Sequence, residues 1–409
     1  MVSDMAKAPS IRLKNFSDEW NLYNLDEKVK FYNGLTYTPA DVVEQDGTLV
    51  LRSSNVQSGE IVSADNVYVN SDVVNTDNVE IGDIIVVVRN GSKALLGKHA
   101  EVKNEMPNTV IGAFMTGIRT QNPPFVNALL STPAFNEELR INMGATINQI
   151  TGGMFKSMEF YFPKDDEQKK IGKVFDSLDN VIAFHQKKLN KLYLTKKSML
   201  LKMFPKSGED IPEIRFKEFS GNWEWHKLGD FFTKYQNTVY LKDEESYRQV
   251  SIRNNGTVEY RGTKKGVEIG RKRQYIVDTV NHPNTLTFTR QTIFEGGIGF
   301  VPAELNGAIV TENMPLLSMH NMDKRFMVAL TQSEEYYAHA INEHTLVGSA
   351  QKALHENQWL DSNVLIPSLP EQKKIGVFFE NLDNLISLQE AKIKKLKNTK
   401  KALLKKMFV

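Results

Sequence analysis

Between residues 167 and 204 the apolar side chains Ile171, Phe175, Leu178, Ile182, Leu189, Leu192, Met199 and Met203 fall mostly three and four positions apart. That spacing is a helical seam close to a heptad repeat. Residues 371–408 repeat it with Ile375, Phe379, Leu382, Ile386, Ile393, Leu396, Leu403 and Met407. Each stretch of 38 residues predicts one unbroken helix, roughly 57 Å long at 1.5 Å per residue. Ahead of the second, Ser368, Pro370 and Glu371 supply an N-cap hydroxyl, a first-turn proline and the N3 acid of a capping box; Asp165 or Asp166 can cap the first. Outside these stretches the apolar runs are short and strand-like. Val50-Leu51, the alternation through Ile84 to Val88, the run ending at Ser251-Ile252, and Leu286 to Thr289 each give way to polar residues.

The two helical stretches are copies. Residues 167–204 align without a gap on 371–408 at an offset of 204, and 21 of the 38 pairs are identical, from Glu-Gln-Lys-Lys-Ile-Gly through Leu-Asp-Asn to Lys-Met-Phe. The copying extends to Pro9, Ile11, Arg12, Lys14, Phe16, Ser17 and Trp20, which return as Pro212, Ile214, Arg215, Lys217, Phe219, Ser220 and Trp223. The chain is therefore two units of about 200 residues with like ends, whereas 21–140 and 224–340 share little identity. A period this long is a duplicated domain rather than a solenoid repeat. The expected boundaries are a first domain at 1–163, a first long helix at 164–205, a second domain at 206–367 and a second long helix at 368–409.

A long helix with one apolar stripe needs a partner, and two near-identical stripes offer each other one. An antiparallel intramolecular coiled coil follows, with His185 and Gln389, and Thr195 and Thr399, at equivalent seam positions where polar residues fix register. With a domain before each helix, this arrangement sets the globular parts at opposite ends of a ruler. Lys392, Lys394, Lys395, Lys397, Lys400, Lys401, Lys405 and Lys406 read as the solvated face of the second helix, with phosphate contact the alternative. Trp20, Trp223 and Trp225 read as packing anchors at the domain starts.

Composition narrows the class. At 409 residues the chain is long enough for two or three domains, each with its own core. Its 51 Lys plus Arg against 49 Asp plus Glu give a net charge of +2, so any basic surface must be local. With 0 cysteines there are no disulfides or thiolate metal sites. The opening Met-Val-Ser-Asp-Met-Ala-Lys lacks an apolar signal core, and no run approaches a bilayer span, so a soluble cytoplasmic protein is expected.

The order of variable domain, then Pro-x-x-x-Glu-Gln-Lys-Lys-Ile-Gly, then Leu-Asp and a Lys/Leu helix ending in Lys-Met-Phe, present twice, resembles the specificity subunit of type I restriction-modification enzymes. Pro163, Glu167 and Gln168, and Pro367, Glu371 and Gln372, carry the likeness, with Gly348, Ser349 and Ala350 and their counterparts Gly144, Ala145 and Thr146 on the approach to each helix. The resemblance implies an α+β protein in which two mixed target recognition domains are separated by the paired long helices. It implies a non-catalytic subunit whose domains each read one half of a split target in double-stranded DNA, while the helices set the spacer and dock two modification subunits. S-adenosylmethionine, ATP and Mg2+ would belong to the modification and restriction/translocase partners, with no cofactor in this chain and no membrane.

Base edges are read by Arg or Lys at guanine and Asn or Gln at adenine, while phosphate contacts only position the protein. The candidates in the first unit are Arg52, Ser53 and Asn55, and Arg89, Asn90, Ser92 and Lys93. In the second they are Arg253, Asn254 and Asn255, Arg261, Lys264 and Lys265 beside Tyr260, and Arg290, Gln291 and Thr292. Phe294 to Gly297 lies at a point of the second unit matching Asn90 to Lys93 of the first. Asn-Gly and Asn-Asn-Gly are also ordinary turn sequences.

Two other readings compete. Asn122-Pro-Pro-Phe125 matches the amine-binding signature of amino-methyltransferases, and Phe294-Glu-Gly-Gly-Ile-Gly299 could pass for an S-adenosylmethionine loop, but the motifs fall in different units. Glu167-Gln-Lys169 and Glu371-Gln-Lys373 imitate half of a nuclease motif at helix starts, and His339 and His344 lack the His-Glu-x-x-His spacing of a zinc site. A two-headed protein-binding scaffold is the further alternative; salt-dependent duplex binding separates it from a DNA reader.

Overall fold

The computed structural model describes residues 8–44, 46–143, 149–344 and 353–409; the glycine-led approaches at Gly144, Ala145 and Thr146 and at Gly348, Ser349 and Ala350 lie outside them. The chain divides into two compact units, Met1–Gln186 with Ala391–Val409, and Lys187–Glu390. Both long helices form as expected, Asp165–Lys202 and Leu369–Lys406, each 38 residues. Each contributes its first half to one unit and its second half to the other.

The first unit holds an antiparallel four-stranded sheet ordered Lys30–Asn33, Met115–Arg119, Ile84–Val87, His99–Glu101. A second sheet runs Thr109–Ile111, Thr48–Leu51, Val67–Val69, Val42–Val43, its first pair parallel. The second unit repeats the scheme. Phe232–Tyr235, Leu316–Met319, Thr285–Phe288 and Ile298–Phe300 form its antiparallel sheet. Its other sheet has five strands, Thr238–Tyr240, Arg273–Ile276, Ile309–Val310, Ser246–Ile252 and Val258–Lys265. Ile84 to Val88, read from the sequence as an alternating run, does not alternate in burial; core packs on both faces, and all five side chains are buried.

The repeated motifs turn out to be fasteners. Arg12 donates to both carboxylate oxygens of Glu167, Nε to Oε1 at 2.8 Å and Nη2 to Oε2 at 2.7 Å. Arg215 grips Glu371 in the same way, 2.8 Å on each oxygen. Glu371 therefore serves an ion pair rather than a capping box. The first helix begins at Asp165, so Asp165 and Asp166 are first-turn acids rather than caps; they favour the positive end of the helix dipole.

The glutamine that follows ties each helix start to a short helix. Gln168 donates to the Pro163 carbonyl at 2.8 Å and accepts from Asn122 at 3.2 Å, where Asn122 precedes the helix Pro123–Leu129. Gln372 donates to the Pro367 carbonyl at 3.0 Å and accepts from the backbone of Asp323, the cap of Lys324–Leu330, at 3.1 Å. The motif glycine permits that approach: a Cβ on Gly172 would lie 2.8 Å from the Phe125 nitrogen, and one on Gly376 would lie 2.7 Å from that of Phe326.

Within each unit the two helix segments run antiparallel, because partners descend on one as they ascend on the other. In the first unit Phe175 meets Phe408 and Asp179 accepts from Lys400 at 2.5 Å. In the second, Phe379 meets Phe204, Asp383 accepts from Lys196 at 2.5 Å, and Glu390 accepts from Tyr193. Leu-Asp-Asn thus supplies an interhelical ion pair, and Lys-Met-Phe a ring for the core. Phe408 packs edge-on to Trp20 at 6.1 Å, and Phe204 to Trp223 at 5.9 Å. The opening segments add the same backbone bond in both units, Ile11 N to Lys406 O and Ile214 N to Lys202 O, each 2.8 Å.

Of the seam, Ile171, Phe175, Ile375, Phe379, Leu382 and Ile386 are buried, while Leu178, Ile182, Leu192 and Leu396 are partly buried. His185 and Gln389 are buried as register residues should be, but Thr399 is exposed and does not belong to the seam. Trp225 is also no anchor. It is 47 % exposed and stands edge-on to His339. Apart from Lys400, the lysines of the second helix run are exposed.

Candidate nucleic-acid interface

In each unit two of the polar loops singled out in the sequence come together, because they leave neighbouring sheets at the same end. Strand Thr48–Leu51 runs into Arg52, Ser53, Ser54 and Asn55, and strand Ile84–Val87 runs into Arg89 to Lys93. Asn90 Nδ2 donates to Ser53 Oγ at 3.2 Å, joining them. In the second unit, strand Ser246–Ile252 leads to the turn at Arg253 to Gly256, closed by Arg253 N to Thr257 O at 3.0 Å, and strand Thr285–Phe288 leads to the loop from Arg290. Asn254 Nδ2 donates to Glu295 Oε2 at 2.5 Å, joining that pair. The scaffold is common and the side chains on it differ.

Several candidates prove to be committed inside the protein. Asn55 is fully buried, with its amide donating to Val62 O, Ala64 O and Asn66 Oδ1 and its oxygen accepting from Arg52 N. It holds the loop and cannot reach a base, which corrects the sequence expectation. Arg290 is also corrected: its guanidinium donates to Glu356 Oε2 at 2.6 Å, and Glu356 is 6 % exposed. Burial would raise the Glu356 carboxyl, but Lys234, a backbone amide and Arg290 outweigh it and hold it at about 2. That trio is structural. Arg52 pairs with Asp65, and Arg253 with Glu259 at 2.8 Å, although both pairs are partly open to solvent.

Other candidates remain accessible. Arg89, Ser92, Lys93, Asn254, Asn255, Arg261, Lys264, Lys265 and Gln291 are exposed, while Ser53, Asn90 and Thr292 are half-buried. Arg89 makes no ion pair among the described residues; its guanidinium lies 5.0 Å from the ring centre of Phe114. Phe114 is 53 % exposed at the rim of this surface. Sequence reasoning missed it, since a phenylalanine after Gly112-Ala113 gives no periodic signal. Tyr260, Arg261, Lys264 and Lys265 lie on strand Val258–Lys265, and Gly266 closes their segment because a Cβ there would sit 2.0 Å from the Lys242 carbonyl oxygen.

The catalytic alternatives lose their sites to packing. Asn122 is 6 % exposed and held by Gln168, Pro123 and Pro124 begin a helix, and Phe125 is fully buried. The glycines of 294–299 accommodate the neighbouring turn, since a Cβ on Gly296 would lie 2.2 Å from Asn254 O and one on Gly299 would lie 1.9 Å from Gly256 O. Glu167 and Glu371 are neutralised by arginine rather than open to a metal ion. His339 lies between Glu335 and Glu343 on one helical face. No cluster of His, Asp and Glu suited to a metal occurs among the described residues, and none of their helices is long and apolar enough to cross a membrane.

Two α+β units of one plan, each with a pair of polar loops at matching strand ends, define a duplicated protein. Residues 17–194 and 220–398 each match the type I restriction modification DNA specificity domain. The chain belongs to that family, which comprises the specificity components of these systems and not their catalytic ones. It is 24% identical over 283 residues to the type I restriction enzyme MjaVIII specificity subunit of Methanocaldococcus jannaschii, an alignment spanning 64% of either protein. It is 26% identical over 153 residues to the StySPI specificity subunit of Salmonella potsdam, covering 36% of this chain and 33% of that one. Among solved structures, the type I S subunit from M. genitalium superposes with a TM-score of 0.63 at 15% identity, over 98% of this chain and 99% of the other. A chain from a study of complex assembly in the type I R-M system gives 0.50 at 14% identity, over 94% and 96%. At these identities the structural likeness speaks for the fold.

Proposed function

We propose that this chain is the DNA-reading subunit of a cytoplasmic type I restriction-modification assembly. Each unit reads one half of a bipartite target in double-stranded DNA. The paired long helices set the unread spacer, and they dock two modification subunits. Methyl transfer with S-adenosylmethionine, and ATP- and Mg2+-dependent translocation and cleavage, belong to the partners.

The observation that carries this reading is the repeated loop pair: Ser53 with Asn90 in one unit, and Asn254 with Glu295 in the other, on strands of the same order. One scaffold with two sets of exposed polar side chains is what independent reading of two half-targets requires. Docking is supported by a repeated apolar patch off the seam. Val181 and Phe184 are 42 % and 63 % exposed on the first helix, and their counterparts Leu385 and Leu388 are 49 % and 68 % exposed on the second. Large apolar side chains left open at matching points fit a protein partner.

The test is to map methylated adenines in the host genome with and without this gene, then measure binding of the mapped duplex by this chain assembled with its modification subunits. The expected result is a split motif that disappears with the gene, and an affinity falling by orders of magnitude between about 50 and 200 mM salt. A two-headed protein scaffold would leave the methylome unchanged and show no such slope.

A further inference from the structure

One exposed residue at the rim of the first unit's loop pair is neither basic nor polar. Phe114 is 53 % exposed, yet its backbone is held firmly: its carbonyl accepts from Val88 N at 3.0 Å and Arg89 N at 3.2 Å, and Met115 N closes the turn on Gly112 O at 2.8 Å. Arg89 is bridged on its other flank to Gln149. A large ring standing open to water on a fixed turn lacks the flexible backbone by which exposed aromatics usually find cover.

Its neighbour strengthens the case. The Arg89 guanidinium lies over the ring, 5.0 Å from its centre, and makes no ion pair among the described residues. By contrast Arg52, Arg253 and Arg290 each have a carboxylate partner. Asn90, beside them, ties this rim to the second loop through Ser53. An apolar plane, an unneutralised cation and an amide at one edge suit a nucleobase: the ring can stack on its face while the cation meets the phosphate or a base edge.

We propose that Phe114 is a wedge of the first unit, inserted at a base step of the first half-target, with Arg89 as its cationic brace. This rests on the DNA-reading function proposed above and adds a specificity-determining residue to it. Selection then comes partly from the ease of unstacking that step, which favours a pyrimidine–purine step. The second unit has no such wedge at this place, because the equivalent backbone bond runs from Arg290 N to Asn313 O at 3.1 Å and puts an asparagine where Phe114 stands.

The experiment uses the chain assembled with its modification subunits and duplexes of the mapped target with 2-aminopurine placed at each step of both half-targets in turn. Besides the adenines that the modification subunits flip out for methylation, one further step of the first half-target should brighten on binding, and none of the second. Phe114→Ala should abolish that signal and weaken binding roughly ten- to hundredfold, with no change in selectivity at the second half-target, while Phe114→Trp keeps both signal and affinity. Unchanged affinity in Phe114→Ala, or a loss of affinity without that further fluorescent step in the parent protein, overturns the wedge and leaves DNA reading intact. Absence of salt-dependent binding by the parent protein refutes the functional reading itself.

Discussion

Removing the carboxylate of Glu371 should loosen the second unit far more than an ordinary surface ion pair would. The Glu371 side chain is 1% exposed and that of Arg215 14%, and both oxygens are engaged at 2.8 Å. Glu371→Ala leaves a largely buried guanidinium with only the carbonyls of Gly221 and Ser220. Breaking a buried pair from one side costs about 3–5 kcal/mol, whereas replacing both partners by apolar residues is often neutral. At about 2–4 °C per kcal/mol for a domain of this size, the second unit should melt some 6–20 °C lower. Hydrogen exchange read by mass spectrometry, peptide by peptide, should show the loss in 187–390, while peptides around Arg12 and Glu167 keep their protection. The double variant Arg215→Met, Glu371→Leu should recover most of the stability. A cost below about 1 kcal/mol for Glu371→Ala, or a double variant as weak as the two single changes added together, would refute the buried-clamp argument.

Gly376→Ala should be strongly destabilising, by about 1–3 kcal/mol or more in a urea midpoint, since its Cβ would meet the Phe326 nitrogen and Asp323 Oδ1 at 2.7 and 2.8 Å, while Gly153→Ala, with nothing within 4 Å, should be neutral or mildly stabilising. Glu356, held at about 2 by Lys234 and Arg290 against the opposing effect of burial, should make the second unit lose stability as pH falls from the unfolded value of about 4.3 through that lowered value. A depressed folded-state carboxylate contributes fully only above its unfolded pKa, so Glu356→Gln should flatten that slope in a pH series of thermal melts. Asn122→Ala should cost about 1–2 kcal/mol by leaving Gln168 Oε1 without its donor, yet leave the methylation rate of the assembled complex unchanged at temperatures where the variant is folded. A methylation rate abolished without loss of stability would restore the methyltransferase reading.

Much of the fold was legible because period and repetition are local signals. The seam from Ile171 to Met203 and its copy gave both helices at their true length, and the loop positions after Leu51, Val88, Ile252 and Thr289 are where polar loops emerge. What failed were assignments that depended on unseen neighbours. Glu371 has the spacing of a capping acid, but Arg215 claims it from 156 residues away. Asn55 and Arg290 have the chemistry of base readers, yet each lies beside groups that satisfy it internally. Trp225 follows Trp223 by two positions and points to the exposed side of strand Glu224–Lys227.

The sequence alone determined that the protein is a tandem duplication with two long amphipathic helices, because identity at a fixed offset and apolar spacing are properties of the chain itself. It also supplied the family likeness. Only tertiary structure decided what the repeated residues do and which loop residues are free to meet a ligand. Burial and pairing are set by groups distant in sequence, so the same residue type is a clamp at Arg215, a structural cation at Arg290 and, at Arg89, a cation over the Phe114 ring with no ion pair among the described residues. Residue type gives the available chemistry; its neighbours in space decide whether that chemistry is consumed in holding the fold or left to face a partner.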